Sequence, residues 1–379
     1  MDFALSQDQQ AFQGLAHDFA MAEMAPHAAR WDADHQFPYE TLKQAAGLGF
    51  AGLYVRDDVG GSGLTRLDAV LVFEQLARAC ASTAAFMSIH NMSSWMIDAF
   101  AGDELRQRIL PDLTTMAKVA GYCLTEPASG SDAASLKATA KRDGADYVLN
   151  GTKAFISGGG RNDFYVVMVR TGGDGAGGIS TIVVPADAAG LSVGAQERKL
   201  GWHSQPTAMV MFDDCRVPAA NLVGEEGQGF KIAMAGLDGG RLNIAACSLG
   251  AAQACLDMAL DYVRERSQFG RKLAEFQALQ FRLADMATEL EAARLLLYQA
   301  AQKVDRKTPD ATRFAAMAKR MATDVGFDVV NQALQLHGGY GYLMDFPFER
   351  FLRDLRVHQI LEGTNEIMRL IISRDLLRS

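Results

Sequence analysis

The chain has 379 residues, of which 49% are hydrophobic and 22% charged, and its formal net charge is −8. This length favours about two or three domains of an ordinary soluble protein. The acidic balance argues against a nucleic-acid binder or an anionic-membrane binder, and no run approaches the ~20 apolar residues of a membrane span.

The cysteines and histidines predict no metal site. The five cysteines contain no C-x-x-C pair, and the seven histidines form neither H-x-x-x-H nor H-E-x-x-H. Scattered cysteines are typical of buried thiols in a reducing compartment. The first segment, Met1–Gln10, has neither the basic region of a signal peptide nor the Arg-rich composition of a transit peptide. We therefore expect the bacterial cytoplasm, with the mitochondrial matrix as the alternative if the chain is trimmed.

Residues 1–118 show helical periodicity and predict an N-terminal helical domain. Ser6 and Gln9 form a capping box, and Asp103 is the expected N-cap of the last helix. The glycine-rich segment Asp57–Gly63 lacks the strand and helix of a nucleotide-binding loop, so we interpret it as a connection. A short helix is expected after Pro38, and the other predicted helices are Ala11–Ala29, Leu67–Ala79, Ser82–Phe100 and Asp103–Ala117.

Residues 119–228 alternate β-branched or aromatic residues with polar ones, which predicts a mostly antiparallel β-domain. Tyr147–Ser157 has the pattern of a hairpin, with Asn150 and Gly151 in a type I′ turn. Gly172–Gly178 is interpreted as a flexible surface loop. Further predicted strands are Phe164–Arg170, Ile179–Val184, Leu191–Val193 and Ala208–Phe212.

Residues 229–379 return to helical periodicity and predict a bundle of long amphipathic helices. The first helix contains Gly236, Gly239 and Gly240, each of which costs roughly 1 kcal/mol relative to alanine. Either close helix packing or a ligand lying against the backbone explains them. The predicted helices are Phe230–Glu265, Phe276–Val304, Thr312–His337, Pro347–Leu355 and Thr364–Leu377.

The segment His358–Arg369 contains the candidate base. Glu362 follows two aliphatic residues and precedes Gly363, which lets a ligand approach the backbone. A carboxylate beside aliphatic groups loses hydration when a ligand covers it, and its raised pKa then suits a base near neutral pH. The alternative is a solvated glutamate before a helix capped by Thr364 or Asn365.

Four further segments suit a planar ring cofactor with a pyrophosphate. Tyr122–Asp132 is rich in hydroxyls and free backbone N–H groups, which suit the polar edge of a ring. Lys153–Ser157 contains an aromatic side chain able to stack on that ring. Arg264–Gln277 supplies a cation and amides for a pyrophosphate, and Gln335–Gly341 supplies glycines for close approach.

Four motifs in this order and spacing, T-E-P-x-S-G-S-D, R-x-Q-F-G, H-G-G-x-G and L-E-G-T-N-E, resemble the acyl-CoA dehydrogenase family over essentially the whole chain. The resemblance implies a multi-domain α+β fold: an N-terminal helical domain (1–118), a middle antiparallel β-barrel-like domain (119–228) and a C-terminal four-helix bundle (229–379). It also implies bound FAD, an acyl-CoA thioester substrate, an electron-transferring flavoprotein as acceptor, and a homotetramer whose cofactor segments reach a neighbouring subunit.

The resemblance assigns roles position by position. Glu362 resembles the general base that removes the α-proton of the thioester. The residues that resemble FAD-binding positions are Tyr122, Leu124, Thr125, Gly130, Ser131, Phe155, Ile156, Ser157, Arg266, Phe276, Gln277, Gln335, Leu336, His337, Gly338, Gly339, Thr364, Asn365 and Glu366. Those that resemble substrate-binding positions are Ser131, Asp238, Gly239, Gly240, Arg241, Gly363 and Arg374. Many relatives have tryptophan where this chain has Phe155, so the aromatic face is kept without an indole donor.

The resemblance also narrows the acyl group. Relatives of the isovaleryl-CoA type carry the base on the bundle helix, where this chain has Gly239 and Gly240. The segments Gly236–Ala251, Lys153–Gly158 and Leu334–Tyr342 are most similar to members that oxidise isobutyryl-CoA to methacrylyl-CoA in valine catabolism. One methylene in an apolar pocket changes discrimination by only about 1–3 kcal/mol, so 2-methylbutyryl-CoA and butyryl-CoA stay as alternatives.

Two other functions compete. An acyl-CoA oxidase would pass electrons to oxygen, and the compact length favours a dehydrogenase over it. A catalytically silent acyl-CoA-binding protein would need neither Glu362 nor the flavin segments, which are both intact here.

Overall fold

The N-terminal part of the computed structural model, which describes residues 4–378, consists of helices. They are α1 (Gln7–Phe19), α2 (Ala28–Ala33), α3 (Tyr39–Gly47), α4 (Arg66–Ala79), α5 (Ala81–Phe100) and α6 (Asp103–Thr114). Ser6 and Gln9 form the predicted capping box of α1. The prediction of Asp103 as an N-cap is wrong, because Gly102 holds that position. Asp103 lies in the first turn, where its carboxylate accepts a hydrogen bond from Arg106 at 2.9 Å.

The middle part is one mixed sheet. Its strands are β1 (Ala120–Cys123), β2 (Thr139–Asp143), β3 (Asp146–Ser157), β4 (Phe164–Arg170), β5 (Ile179–Pro185), β6 (Leu191–Gln196), β7 (Thr207–Pro218) and β8 (Leu222–Val223). The strand order is β6-β7-β3-β2-β4-β5-β8, and β1 pairs parallel to β4. The four predicted strands after β3 are confirmed as β4 to β7, although β7 continues beyond the predicted end at Phe212 to Pro218, and β1, β2 and β8 were not predicted individually. Most neighbouring pairs are antiparallel, as expected.

The predicted hairpin at Asn150 and Gly151 is wrong. Strand β3 runs straight through both residues, and its pairing with β7 shifts register between Leu149 and Gly151. Gly151 has a φ of 142°, and a Cβ atom there would lie 2.6 Å from the Cβ of Ala138. The glycine therefore serves a β-bulge. The true hairpin joins Asp143 to Asp146, which are paired across the turn between β2 and β3.

The C-terminal part is a helical bundle built around one long helix. Its elements are α7 (Gly229–Glu265), β9 (Ser267–Gln268), β10 (Arg271–Lys272), α8 (Gln277–Asp305), α9 (Ala311–His337), α10 (Phe348–Arg356) and α11 (Asn365–Leu376). These helices confirm the predicted ones within one or two residues at each end. Helix α7 packs against α4, α5, α8 and α9, so it joins the bundle to the N-terminal helices.

Helix α7 is also long and apolar enough to cross a membrane by length and composition. This property is an average over a window and differs from the unbroken apolar run considered in the sequence, because polar residues such as Asn243, Ser248 and Gln253 interrupt the helix. Since 78% of its apolar window is buried inside the protein, the helix serves as a core helix here. Its packing is tight: a Cβ atom at Gly250 would lie 1.9 Å from the backbone oxygen of Glu74 on α4.

Candidate active site

Glu362 lies in the loop between α10 and α11, and its backbone is strained. Its φ of 56° places a non-glycine residue in the left-handed region, and Gly363 follows with a φ of 88°. Such a conformation costs about 1–3 kcal/mol and persists only where other contacts hold it. One such contact comes from α7, where the Nε of Arg241 donates to the Glu362 carbonyl at 3.2 Å.

The carboxylate of Glu362 lies against the backbone of α7. A Cβ atom at Gly240 would lie 2.6 Å from Oε2, so the space that the carboxylate occupies exists because this residue is glycine. Although Glu362 as a whole is half-buried, Oε2 is fully buried and has no hydrogen-bond partner among residues 4–378. The solvated alternative for Glu362 is therefore wrong.

Burial determines the proton affinity of this carboxylate. Desolvation raises the pKa of Glu362 to about 7, and the charges of Arg241 and Lys319 partly oppose that rise. The rise is present in the protein alone, before any ligand covers the side chain. A carboxylate with this pKa can accept a proton from a substrate near neutral pH.

The other glycines of α7 also make room for side chains. A Cβ atom at Gly236 would lie 2.7 Å from the Sδ of Met96, and one at Gly239 would lie 2.4 Å from the Nη1 of Arg66. Protein side chains thus fill much of the space beside these glycines. The assignment of Gly239 and Gly240 to substrate binding stays a prediction.

A small apolar cluster, called the apolar wall below, includes Leu361, the neighbour of Glu362 in the chain. Its buried members come from α5, α7 and the loop before β7, and they are Ala85, Ile89, Trp202 and Ile244. The half-buried residues Tyr122, Val357 and Leu361 pack against them. Burial, reinforced by the nearby charge of Glu362, raises the pKa of Tyr122, so its hydroxyl stays protonated. Such a wall suits a small hydrocarbon group better than a polar one.

A buried cation, which sequence reasoning missed, lies near the same helix face. The guanidinium carbon of Arg66 lies 3.6 Å from the ring centroid of Tyr54 and 4.5 Å from that of Trp95. Its Nη1 is buried without a hydrogen-bond partner among the described residues. No local pattern around position 66 signals this burial, because the rings come from separate elements.

Phe155 is displayed on the surface of the β-domain by a second irregularity of β3. The pairing with β7 shifts between Lys153 and Ile156, and Phe155 has a φ of 58° and is 66% exposed. An exposed aromatic ring of this kind can stack on a planar ring cofactor. Ile156 differs, because its side chain is 2% exposed within the β-domain core, which leaves only its backbone for a ligand. Ser157 follows at the end of β3 and is half-buried.

The segment Tyr122–Asp132, predicted to lie along the edge of the ring and called the ring-edge loop below, is tied to β3 by a buried ion pair. The Nζ of Lys153 donates to Glu126 at 2.7 Å and to the carbonyl of Leu124 at 3.1 Å. Glu126 also accepts from the backbone N–H of Lys137 and Ala138 at 2.7 and 2.9 Å. The acid of the T-E-P motif thus holds the loop. Other residues of the loop are accessible to a ligand, since Thr125 is half-buried and Gly130 and Ser131 are exposed.

The predicted cofactor segments Arg264–Gln277 and Gln335–Gly341 contribute to a separate groove of about 630 Å³. Its lining includes Gln335, Leu336, His337, Gly338, Gly339, Arg266, Tyr262 and Tyr340. Tyr262 stacks on His337 with ring centroids 4.2 Å apart, and burial lowers the pKa of His337. Phe276 and Gln277 lie at the start of α8. The guanidinium carbon of Arg271 lies 3.9 Å from the ring centroid of Phe276.

The remaining predicted site residues are spread around the loop of Glu362. Asp238 pairs with Arg241 at 2.7 Å and accepts from the hydroxyl of Thr312 at 2.6 Å. Thr364 is the N-cap of α11, which confirms one of the two predicted caps. Glu366 and Arg374 are exposed on α11. Asn365 is buried, and its amide is fully engaged inside the protein, so its side chain does not face a ligand in this arrangement.

No group of three or more histidine, cysteine, aspartate or glutamate residues within 4–378 is placed to hold a metal ion. The features that bear on the chemistry are the buried carboxylate oxygen of Glu362, the apolar wall beside it and the exposed ring of Phe155. Together they define a class of flavin-dependent oxidoreductases in which a glutamate accepts a proton from carbon.

Comparison with known proteins identifies the family. Models of the acyl-CoA dehydrogenase N-terminal, middle and C-terminal domains match residues 6–117, 121–215 and 227–377. The chain belongs to the acyl-CoA dehydrogenase family, and it is an enzyme of this type with FAD as its cofactor.

Particular relatives are very similar. The chain is 57% identical over 374 residues to the mitochondrial isobutyryl-CoA dehydrogenase of Bos taurus, covering 99% of this chain and 90% of that protein. The corresponding protein of Dictyostelium discoideum is 56% identical over 98% of this chain and 90% of its own length. The solved structure of butyryl-CoA dehydrogenase from Megasphaera elsdenii matches with a TM-score of 0.97 and 39% identity, over 100% of both chains.

Proposed function

We propose that this enzyme oxidises isobutyryl-CoA to methacrylyl-CoA in valine catabolism and passes the electrons to an electron-transferring flavoprotein. The observation that carries the reaction type is the strained, desolvated carboxylate of Glu362 beside an apolar wall. The likeness to isobutyryl-CoA dehydrogenases supports the choice of acyl group.

In this reaction, separate residues would accept the proton, polarise the thioester carbonyl and hold the FAD. Glu362 accepts the α-proton of the acyl thioester, and the dry site keeps its pKa near that needed for this transfer. Polarising the thioester carbonyl requires a donor, and the Glu362 N–H donates to no acceptor within the described residues. Bound FAD supplies the hydride acceptor for the β-carbon. Phe155, the ring-edge loop and the groove at Gln335–Gly339 would hold the FAD.

A substrate panel tests the acyl group. The enzyme is assayed for kcat/KM on straight and branched acyl-CoAs with about three to six acyl carbons, and isobutyryl-CoA is expected to be the best. A preference for 2-methylbutyryl-CoA or butyryl-CoA would keep the dehydrogenase and replace the substrate. Discrimination among these neighbours should be about 10–200-fold per methylene.

Substitution of Glu362 tests the reaction. Glu362→Gln keeps the shape of the side chain and removes its basicity, so FAD and substrate should bind while kcat falls by at least ~10²–10⁴. Glu104→Gln, which changes an exposed carboxylate of α6, is the matched control and should keep normal turnover. Near-native turnover of Glu362→Gln would remove this residue from the mechanism.

The competing functions are separated by the fate of the electrons. A dehydrogenase reduces an electron-transferring flavoprotein and forms little peroxide without it, whereas an oxidase forms peroxide with oxygen alone. Yellow protein that bleaches on anaerobic addition of isobutyryl-CoA excludes a silent binding protein.

The assembly and the cellular location are part of the same proposal. A homotetramer is supported by the large apolar side chains exposed around the groove, with Phe269, Tyr342 and Met344 at 93%, 81% and 72% exposure. We place the enzyme in bacterial cytoplasm, with the mitochondrial matrix as the alternative that the mitochondrial relatives support. We also retain 1–118, 119–228 and 229–379 as the domain limits.

A further inference from the structure

Lys319 is a buried cation that the proposed mechanism does not use. Its side chain lies on α9 and is 0% exposed. Its Nζ donates to the carbonyl of Gly363 and to the Oδ1 of Asn365, both at 2.8 Å. Burying an ammonium group is unfavourable by several kcal/mol unless it is paired and hydrogen-bonded. Its two acceptors belong to the segment 359–365, which is the loop that carries Glu362 together with the first residue of α11.

Helix α9 holds this loop, residues 359–365, on both sides of Glu362. Before it, the amide of Gln359 donates to Asp324 at 3.0 Å. After it, the amide of Asn365 donates to the same carboxylate at 2.7 Å, while its oxygen accepts from Lys319. The loop is therefore bonded to one rigid element at both ends.

Two cations from different helices hold consecutive carbonyls of the strained turn. Arg241 of α7 donates to the carbonyl of Glu362 at 3.2 Å, and Lys319 of α9 donates to the carbonyl of Gly363 at 2.8 Å. These contacts fix two successive peptide groups: Arg241 holds the one between Glu362 and Gly363, and Lys319 holds the one between Gly363 and Thr364. They supply the restraint that a left-handed glutamate requires.

The same cations act on the carboxylate through space. Lys319 and Arg241 both favour the ionised form of Glu362 and so oppose the rise in its pKa caused by burial. Burial lowers the pKa of Lys319 to about 7, and the negative charge of Glu362 opposes that change. The other titratable groups that bear on the pair are Asp324 on α9 itself and four groups on neighbouring elements: Tyr54, Tyr122, His358 and Glu366.

We propose that Lys319 is a positioning residue for the base: it holds the left-handed turn at Glu362, and its charge favours the ionised carboxylate. The inference rests on the proposed role of Glu362. This positioning role differs from general packing, because the Nζ of Lys319 donates hydrogen bonds directly to the segment that contains Glu362. This also explains the asparagine of the T-N-E motif, because the side-chain oxygen of Asn365 accepts a hydrogen bond from Lys319.

Two variants of Lys319 separate its charge from its hydrogen bonds. Lys319→Met removes both, and Lys319→Gln keeps a donor while removing the charge. In both, the rising limb of kcat/KM against pH should move about one pH unit upward, because the carboxylate loses a cation that favours its ionised form. In Lys319→Met, kcat should also fall about tenfold or more with KM changed less than about threefold, since the base is misplaced. Lys319→Gln should lose less in kcat.

The matched control is Arg320→Met, which removes a cation one residue away. The Arg320 side chain is 37% exposed and lies 3.8 Å from Asp324, so its loss should leave the pH profile in place. Melting temperature and flavin absorbance establish that each variant is folded and loaded, and Lys319→Gln serves if Lys319→Met does not fold.

An undisplaced rising limb in the Lys319 variants would overturn the inference, whatever happens to kcat, because a purely structural lysine would not move it. An equal displacement in Arg320→Met would also overturn it. Neither result would affect the proposed function, which fails only if Glu362→Gln retains turnover.

Discussion

At the scale of single residues, the environment of Glu362 makes activity and stability respond to pH in opposite directions. The base must be ionised, so kcat/KM should rise as the pH passes through the pKa of about 7 and level off above it. Folding behaves differently, because a carboxyl whose pKa rises from 4.5 to about 7 on folding makes the folded state less stable as the pH increases through that window.

Because its pKa is raised on folding, Glu362, the proposed base, is expected to destabilise the folded state at high pH. Glu362→Gln should melt a few degrees above the wild type at pH values above about 8, and the gain should vanish below about pH 4, where the glutamate is neutral in both the folded and the unfolded state. Thermal melts of both proteins across this range measure it, with Glu104→Gln as the exposed control. A gain that is independent of pH would show that desolvation of the charge is not its cause.

Gly240 offers a second prediction at this scale. In Gly240→Ala, the added Cβ would lie 2.6 Å from the carboxylate of Glu362 and must displace it. We expect kcat to fall about tenfold or more, because a base moved by about 1 Å loses its geometry, with the pKa seen in the pH profile lowered if the carboxylate moves toward water.

The control for Gly240→Ala is Gly14→Ala. Gly14 lies inside α1 with no atom within 4 Å of an added Cβ, so alanine there should leave kcat unchanged and stabilise the protein by about 0.5–1 kcal/mol. If Gly240→Ala kept full activity, the carboxylate would not need the space that this glycine provides.

At the scale of elements, the ion pair between Lys153 and Glu126 joins β3 to the ring-edge loop. Lys153→Met leaves the Glu126 carboxylate without its cation, and removing one partner of a buried pair typically costs about 3–5 kcal/mol. The variant should therefore melt at a lower temperature and retain less FAD after gel filtration, which calorimetry and the flavin-to-protein absorbance ratio measure.

The matched variant is Lys141→Met, which removes an exposed lysine from β2 in the same sheet. It should match the wild type in both measurements. A Lys153→Met protein with a lower melting temperature but a full content of FAD would show that the ion pair stabilises the fold without contributing to cofactor binding.

The β-domain also shows where local sequence rules fail. Asn-Gly is a strong hairpin signal, yet β3 passes through Asn150 and Gly151 because two flanking strands pair along it and Ala138 packs against the glycine. Asp103 fits the residue preference of an N-cap, but Gly102 has the extended backbone and Asp103 binds Arg106 instead. In both cases tertiary contacts outweigh a local preference.

At the scale of the whole molecule, the sequence was sufficient for most helices and for the order helical part, β-domain and helical bundle, although the predicted helix Ala11–Ala29 is divided between α1, a π-helical turn and α2. Long periodic helices such as α7 depend on patterns that are local in sequence, and Glu362 lies within a motif. Lys319 and Arg66 could not be recognised in this way. Their roles depend on burial against residues that are distant in the chain, and no spacing within one segment encodes it.

The exposed tip of the β9–β10 hairpin is expected to lie in a subunit interface of the proposed tetramer. Phe269 and Gly270 form its two-residue turn with φ values of 53° and 77°, and Phe269 is 93% exposed. Its ring meets Phe276 at 6.4 Å between centroids, and most of its surface stays open. An aromatic side chain held this far from its own core gains about 1.5–3 kcal/mol if a second subunit buries it.

Phe269→Ser should therefore weaken the proposed tetramer. Sedimentation velocity over a dilution series should show smaller species at concentrations where the wild type stays assembled, and the flavin-to-protein ratio should fall with it because the groove lies beside this hairpin. Leu200→Ser removes another apolar side chain, 64% exposed but on the loop after β6, and should sediment as the wild type does. A Phe269→Ser protein that stays tetrameric on dilution would show that this ring does not lie in a subunit interface.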